Sequence, residues 1–194
     1  NDANVQQLVN GINQMLDNYG KTLDIANHSN LRGGDDKAFA ALVADMNAGN
    51  VDAVLLINVN PVYNYAGFAE ALGKVKLKVS FNDSKDETGA ARDYRLPSNH
   101  YLESWGDAEP NKGSYSLMQP SIEPLWKTRQ YQTVLMKWAG IGGTFYDYIR
   151  EYWKANVFPQ AAGSEEFKAF LKNDMYSAGR AASFEDFWRF ALSN

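Results

Sequence analysis

Val5, Leu8, Val9, Ile12, Met15 and Leu16 recur at the three-and-four spacing of a helix that buries one stripe, and Gly20 follows where a left-handed C-terminal residue is wanted. KTLDIA (21–26) reads as a short strand and NHSNLRGGDD (27–36) as a polar loop. A second helix is predicted over KAFAALVADMNAG (37–49), with Phe39, Leu42, Val43 and Met46 on one face and Asp35 or Asp36 as its cap. The unbroken apolar run 53–57 then has the look of a strand buried on both faces, and it ends in the polar corner Asn58-Val59-Asn60-Pro61. A helix carrying Phe68, Leu72 and Val75 and a strand LKVSF (77–81) follow.

Helices alternating with strands at this spacing indicate crossover units on a parallel sheet. The expected class is therefore α/β, with a Rossmann-like, mostly parallel sheet flanked by helices. Residues 83–126 break the pattern: they are rich in Asn, Ser, Gly, Pro and charge, with at most short strands near DYRLP and YSLMQP. An irregular stretch of that length is usually functional, or ordered by a neighbouring domain. The last third is helical, with aromatics in FYDYIREYW and a capping-box start in SFED, where Ser183 and Asp186 serve each other. Its Trp and Phe density exceeds what a lone helix pair buries, so another surface is expected to cover it. FPQAAGS (158–164) marks the expected boundary between an α/β domain, 1–157, and a C-terminal helical extension, 158–194.

Composition narrows the chemistry. The 194 residues, 45% of them hydrophobic, suffice for a domain with a real core. A net charge of -4 with both signs interspersed provides no broad basic surface, so nucleic acid is not an expected partner. With no cysteine, the chain by itself makes no disulfide, thiolate zinc site or iron–sulfur ligation. No apolar run approaches the ~20 residues of a membrane helix, so direct membrane insertion is not expected. A start at NDANVQQL, in mid-helix pattern, suggests a piece of a longer protein.

Three loops qualify as strand-end sites: 26–36, 58–65 and 82–93. Gly33-Gly34 in the first lacks a dinucleotide fingerprint or P-loop and reads as a turn and helix cap. NVNPVYNY in the second could cradle a nucleotide-like group or simply redirect the chain. Glu103, Asp107 and Glu109 beside Trp105 can be drawn as a carboxylate pair of a hydrolase, although acids on polar loops are common. His28 and His100 stand in no metal-ligand spacing, and no nucleophile motif is present. No catalytic or metal-binding residue is therefore assigned.

The order of segments adds a resemblance. INQMLDNYGK, LVADMNAGNVDAVLLINVNP and FAEALGKV, then ETGAARDYRLP, LESWGD and NKGSYSLMQPSIEP, follow one another as in an inner domain of the molybdopterin oxidoreductase (dimethyl sulfoxide reductase) superfamily. The match covers about residues 5 to 135. The Trp-Gly-Asp form and the FEDFW tail look most like the large iron–sulfur, molybdopterin-like subunit of bacterial alternative complex III. The resemblance implies an oxidoreductase parent whose iron–sulfur clusters lie in other domains and whose pterin cofactor has been lost. It implies partners among the parent's other domains and membrane-anchored respiratory subunits, at the periplasmic face of the inner membrane. If the parent did hold a molybdopterin guanine dinucleotide, the matching loop positions are Asn60, Pro61, Asp83, Glu87, Thr88 and Asp93.

Overall fold

The structure, a computed structural model, describes residues 2–177, 179 and 181–193, and the chain is mixed α/β. It divides into two compact units, one of residues 1–34 and 108–116, the other of residues 35–107 and 117–194.

In the first unit, helix α1 (Ala3–Met15) starts at Asp2, whose carboxylate accepts from the Asn4 N–H at 2.9 Å. The helix ends before the predicted glycine. Asp17 already takes a left-handed φ of 54°, and the Asn18 carbonyl accepts from the N–H groups of Lys21, Thr22 and Leu23. Gly20 supplies the left-handed residue of this later turn (φ 77°). KTLDIA is consequently not a strand, because its first amides close a turn on Asn18 where a ladder would need them free. Residues 24–27 are a further turn, in which Asp24 accepts from Ala26 and Asn27. Ser29 bridges Asn111, and the Asn30 N–H donates to the Pro110 carbonyl at 2.9 Å.

The second unit is built on three parallel strands in the order β1 (Ala53–Leu56), β2 (Leu77–Ser80), β3 (Tyr94–Arg95). Helix α2 (Asp36–Ala48) precedes β1; Asp35 caps it by accepting from Lys37 and Ala38, and Gly49 closes it at φ 78°. Short helices α3 (Pro61–Asn64) and α4 (Phe68–Gly73) connect β1 to β2, and α5 (Glu87–Ala90) connects β2 to β3. Val43 and Met46 of α2, Val54 and Leu56 of β1, and Phe68, Ala71 and Leu72 of α4 form one buried cluster. Phe39 stacks on Phe68, ring centres 5.7 Å apart.

Burial along β1 alternates, which corrects the expectation of a strand covered on both sides. Val54 and Leu56 are buried while Ala53 and Leu55 are exposed, and Leu77 of β2 is exposed as well. The run is apolar on both faces, but α2 and α4 cover one. The other face is closed only toward its carboxyl end, where Phe81 meets Tyr131 and Trp138 of helix α6 (Tyr131–Trp138).

The irregular stretch contains a 3-10 turn (Tyr101–Glu103) and a two-stranded antiparallel sheet, β4 (Gly106–Asn111) and β5 (Ser114–Met118), turning at Gly113 with φ 81°. YSLMQP therefore contributes to β5 and DYRLP to β3. Helix α7 (Phe145–Tyr152) runs through a wide π turn (Trp153–Val157) into α8 (Phe158–Ala161), and α9 (Glu165–Asn173) and α10 (Phe184–Ser193) follow. Pro159, which has no N–H to give an α turn, lies just beyond the wide turn. Residues 158–194 fall in the same compact unit as the sheet. Trp153, Phe167, Phe187 and Trp188 are buried against one another, Trp153 lying 5.9 Å from Trp188 and Phe167 5.5 Å from Phe187.

Candidate functional site

The carboxyl ends of β1, β2 and β3 open on one cleft of about 420 Å³, lined by Asn58–Asn60, Asn82–Ser84, Asp86 and Ser98–Tyr101. Parallel strands place their following loops at one edge, which is why three segments distant in sequence meet here. Asn58 turns the chain out of β1 with a left-handed φ of 52°, a conformation that Asn tolerates better than most side chains.

The β1 and β2 loops are tied by side chains. Asn60 Nδ2 donates to Glu87 Oε2 at 2.7 Å, and Asn60 Oδ1 accepts from the Thr88 hydroxyl at 2.6 Å and the Thr88 N–H at 3.2 Å. Thr88 Oγ1 in turn accepts from the Val62 N–H at 3.0 Å, and Thr88 is wholly buried. Asn82 Nδ2 donates to the Val59 carbonyl at 2.8 Å and to Asp86 Oδ2 at 2.7 Å. Asp86 also accepts from the Gly89 N–H and caps α5. A Cβ on Gly89 would sit 2.7 Å from Asp86 Oδ1, so any other residue there would have to displace the capping carboxylate. The Asn60 hydrogen bond holds the Glu87 carboxyl below its usual range.

Of the positions matched by sequence, Asn60, Pro61, Glu87 and Thr88 come together in this brace, and Asn60 and Asp83 line the cleft. Asp93 stands apart from them. It sits beside β2, accepting from the Lys78 N–H at 2.8 Å and pairing with Lys78 Nζ at 3.2 Å; the backbone bond is the larger cause of its lowered pKa. The cleft also uses Asn58 and Asn82, from the two strand-end loops marked by sequence, and four residues outside those loops: Ser98, Asn99, His100 and Tyr101. The last four follow β3, a two-residue strand without periodicity, so only the rule that ligands gather where parallel strands end could have marked them.

The carboxylates drawn as a hydrolase pair are each engaged locally. Glu103 accepts from the N–H groups of Leu125 and His100, which lower its pKa in that order. Asp107 accepts from Trp153 Nε1 at 2.8 Å, and Glu109 from the Gly113 N–H at 2.7 Å in the hairpin turn. His100 Nδ1 accepts from the Leu102 N–H, while His28 Nδ1 lies 3.3 Å from the Ile25 carbonyl. Among the described residues, no group of three His, Asp or Glu side chains is placed to hold a metal ion, and no helix is long and apolar enough to cross a membrane. The first loop, 26–36, follows no sheet strand and serves to enter α2 through the Asp35 cap. No protein-family model matches the chain, and no curated protein matches its sequence.

Proposed function

We propose that the chain is a Rossmann-like α/β domain of a molybdopterin oxidoreductase-like subunit in a respiratory electron-transfer complex, where it acts as a scaffold and carries no catalysis of its own. One observation supports this most directly: three of the positions that the resemblance marks for a cofactor, Asn60, Glu87 and Thr88, are spent on one another. Asn60 uses both its amide oxygen and its nitrogen on Thr88 and Glu87, and Asp86 holds Asn82 and Gly89. The cleft beside them does not fit a pterin dinucleotide either. Its lining includes Asp83 and Asp86 and no Lys or Arg, a poor setting for a pyrophosphate. These loops read as a brace that has replaced a cofactor cradle.

In this reading the partners are other domains of the parent and membrane-anchored subunits at the periplasmic face of the bacterial inner membrane, with iron–sulfur clusters held outside this chain. The exposed apolar stripe of α1 and the open face at Leu55 and Leu77 are surfaces of the kind such neighbours cover. The test is calorimetric and compositional. The isolated chain should show no saturable heat with guanine nucleotides, and the full-length parent should co-purify with cluster-bearing and membrane subunits. Low-micromolar nucleotide binding by the chain alone would overturn the proposal.

A further inference from the structure

A second cavity, of about 540 Å³, is bordered by residues 95–97, where the chain leaves β3, and by residues of the stretch 127–138, which leads into and along α6. Its lining carries Arg95, Lys127 and Arg129 and no Asp or Glu. Among the described residues, none of the three cations is paired with a carboxylate. Arg95 is fixed from one side: its Nη2 donates to the backbone carbonyl of Asp83, while its Nε is without a partner. Three like charges around one cavity repel one another, and an anion seated among them removes that repulsion.

The rest of the lining has a consistent chemistry. Its polar side-chain groups are donors, the Thr128 hydroxyl alone being able to accept as well. Between the cations the wall is apolar, made by Leu96, Pro97 and Val134. Trp138 completes it with a ring that is 54% exposed yet anchored on Phe81, ring centres 5.9 Å apart. Residues 127–129 belong to no helix or strand, and their backbone N–H groups make no hydrogen bond among the described residues. A complementary ligand carries carboxylates for the guanidinium and ammonium groups and a flat body for the indole. An extended peptide also brings carbonyl oxygens to the free N–H groups, which a small anion does not. A lipid surface needs cations projecting around an apolar face, whereas these line a concavity.

We propose that this cavity receives an acidic segment of a neighbouring protein chain, whose carboxylates meet Arg95, Lys127 and Arg129 and whose aromatic side chain lies against Trp138. A neighbouring chain as the source rests on the scaffold reading; the recognition of an acidic peptide does not.

The chain should be titrated with acetyl-Glu-Phe-Glu-amide, following backbone amides and indole N–H groups by two-dimensional NMR. Saturable shifts are expected at residues 95, 96 and 127–129 and at the Trp138 indole. The peptide acetyl-Gln-Phe-Gln-amide keeps the shape without the charge and should bind about tenfold more weakly. Lys127→Gln combined with Arg129→Gln breaks no side-chain hydrogen bond or ion pair among the described residues and should weaken the acidic peptide by about the same factor. Equal binding of the two peptides, unchanged affinity in the double variant, or no saturable shift at tens of millimolar would each sink the inference. Inorganic phosphate that binds as tightly as the acidic peptide would reduce the cavity to a simple anion site and overturn it. Sedimentation with phosphatidylglycerol vesicles, lost in the double variant and found in place of peptide binding, would assign the surface to lipid instead. Each of these failures leaves the scaffold reading standing, which falls on low-micromolar nucleotide binding.

Discussion

Helices α1 and α10 are written in the same amphipathic register and meet opposite fates. On α10, Phe187 and Trp188 are each 3% exposed, set among Trp153, Phe158, Phe167 and Phe184, and Arg150 lies 5.2 Å over the Trp188 ring. On α1, Leu8 is 66% and Met15 87% exposed, and no residue of the helix is buried. Their first turns differ as well. Ser183 and Asp186 exchange bonds at the start of α10, and Arg189 ties Asp186 and Asp174 together, while α1 begins on the single bond from Asn4 to Asp2. The difference teaches that an apolar stripe acquires energy only from what its own unit can place against it. Among the described residues, the rest of the α1 unit consists of turns and most of the β4–β5 hairpin, with no second helix, and its size lies near the ~40-residue floor for an independent core. The stripe is thus left exposed, which is what the scaffold proposal expects of a surface that a neighbour covers.

The largest expected effect lies on the covered side. Phe187→Ala should cost about 3–5 kcal/mol in urea unfolding, because the cavity it opens is walled by rings that cannot collapse into it. Leu8→Ala on α1 should stay within about 0.5 kcal/mol. A comparable loss at both positions would mean that the α1 stripe is buried in solution, and the contrast would fail.

A smaller loss is expected in the strand-end brace. Thr88→Val keeps the volume but strips the hydroxyl that donates to Asn60 and accepts from Val62, leaving a part-buried N–H without its partner and the Asn60 amide oxygen with only the backbone N–H of residue 88. It should cost about 1–3 kcal/mol, read from the shift of the urea midpoint. Unchanged stability would show that these loops are not held by this bond.

Acid should separate the two helices in turn. Asp186 titrates below its usual range, first because the Ser183 hydroxyl donates to it and then through Arg189. A depressed folded pKa contributes stability that is present above the unfolded value near 3.9 and is lost as pH falls through the folded one. The second unit should therefore weaken as pH falls below about 4, and Asp186→Asn should flatten that part of the profile. An identical acid slope in the variant would refute the assignment. The smallest effect is on the open stripe: Leu8→Glu with Ile12→Glu should leave unfolding within about 0.5 kcal/mol while reducing fluorescence of a bound hydrophobic dye. Undiminished dye binding would place the exposed apolar surface elsewhere.

Much of the fold was legible where a signal repeats. The stripes of α1 and α2, the Asp35 cap, strands β1 and β2 and the Ser183–Asp186 box all follow from local spacing and short-range hydrogen bonds. KTLDIA misled because a strand-like composition says nothing of Asn18, whose carbonyl gathers the amides first. The loop positions Asn60, Glu87 and Thr88 could be named from the sequence, yet their bonding to one another joins residues 26 to 28 apart. The basic cavity was invisible, since Arg95 and the run from Lys127 to Arg129 meet only through the tertiary fold.

Periodicity by itself determined which residues share a face, and local chemistry determined where most helices start. Tertiary structure alone decided which faces are covered, because covering depends on layers brought together across long separations. Leu55 and Leu56 are adjacent and equally apolar, yet only Leu56 is buried, since α2 and α4 lie on one side of the sheet. The same separation of scales made the cleft. Three strand ends distant in sequence converge there only because the strands run parallel, and that convergence sets its charge and its aromatic face.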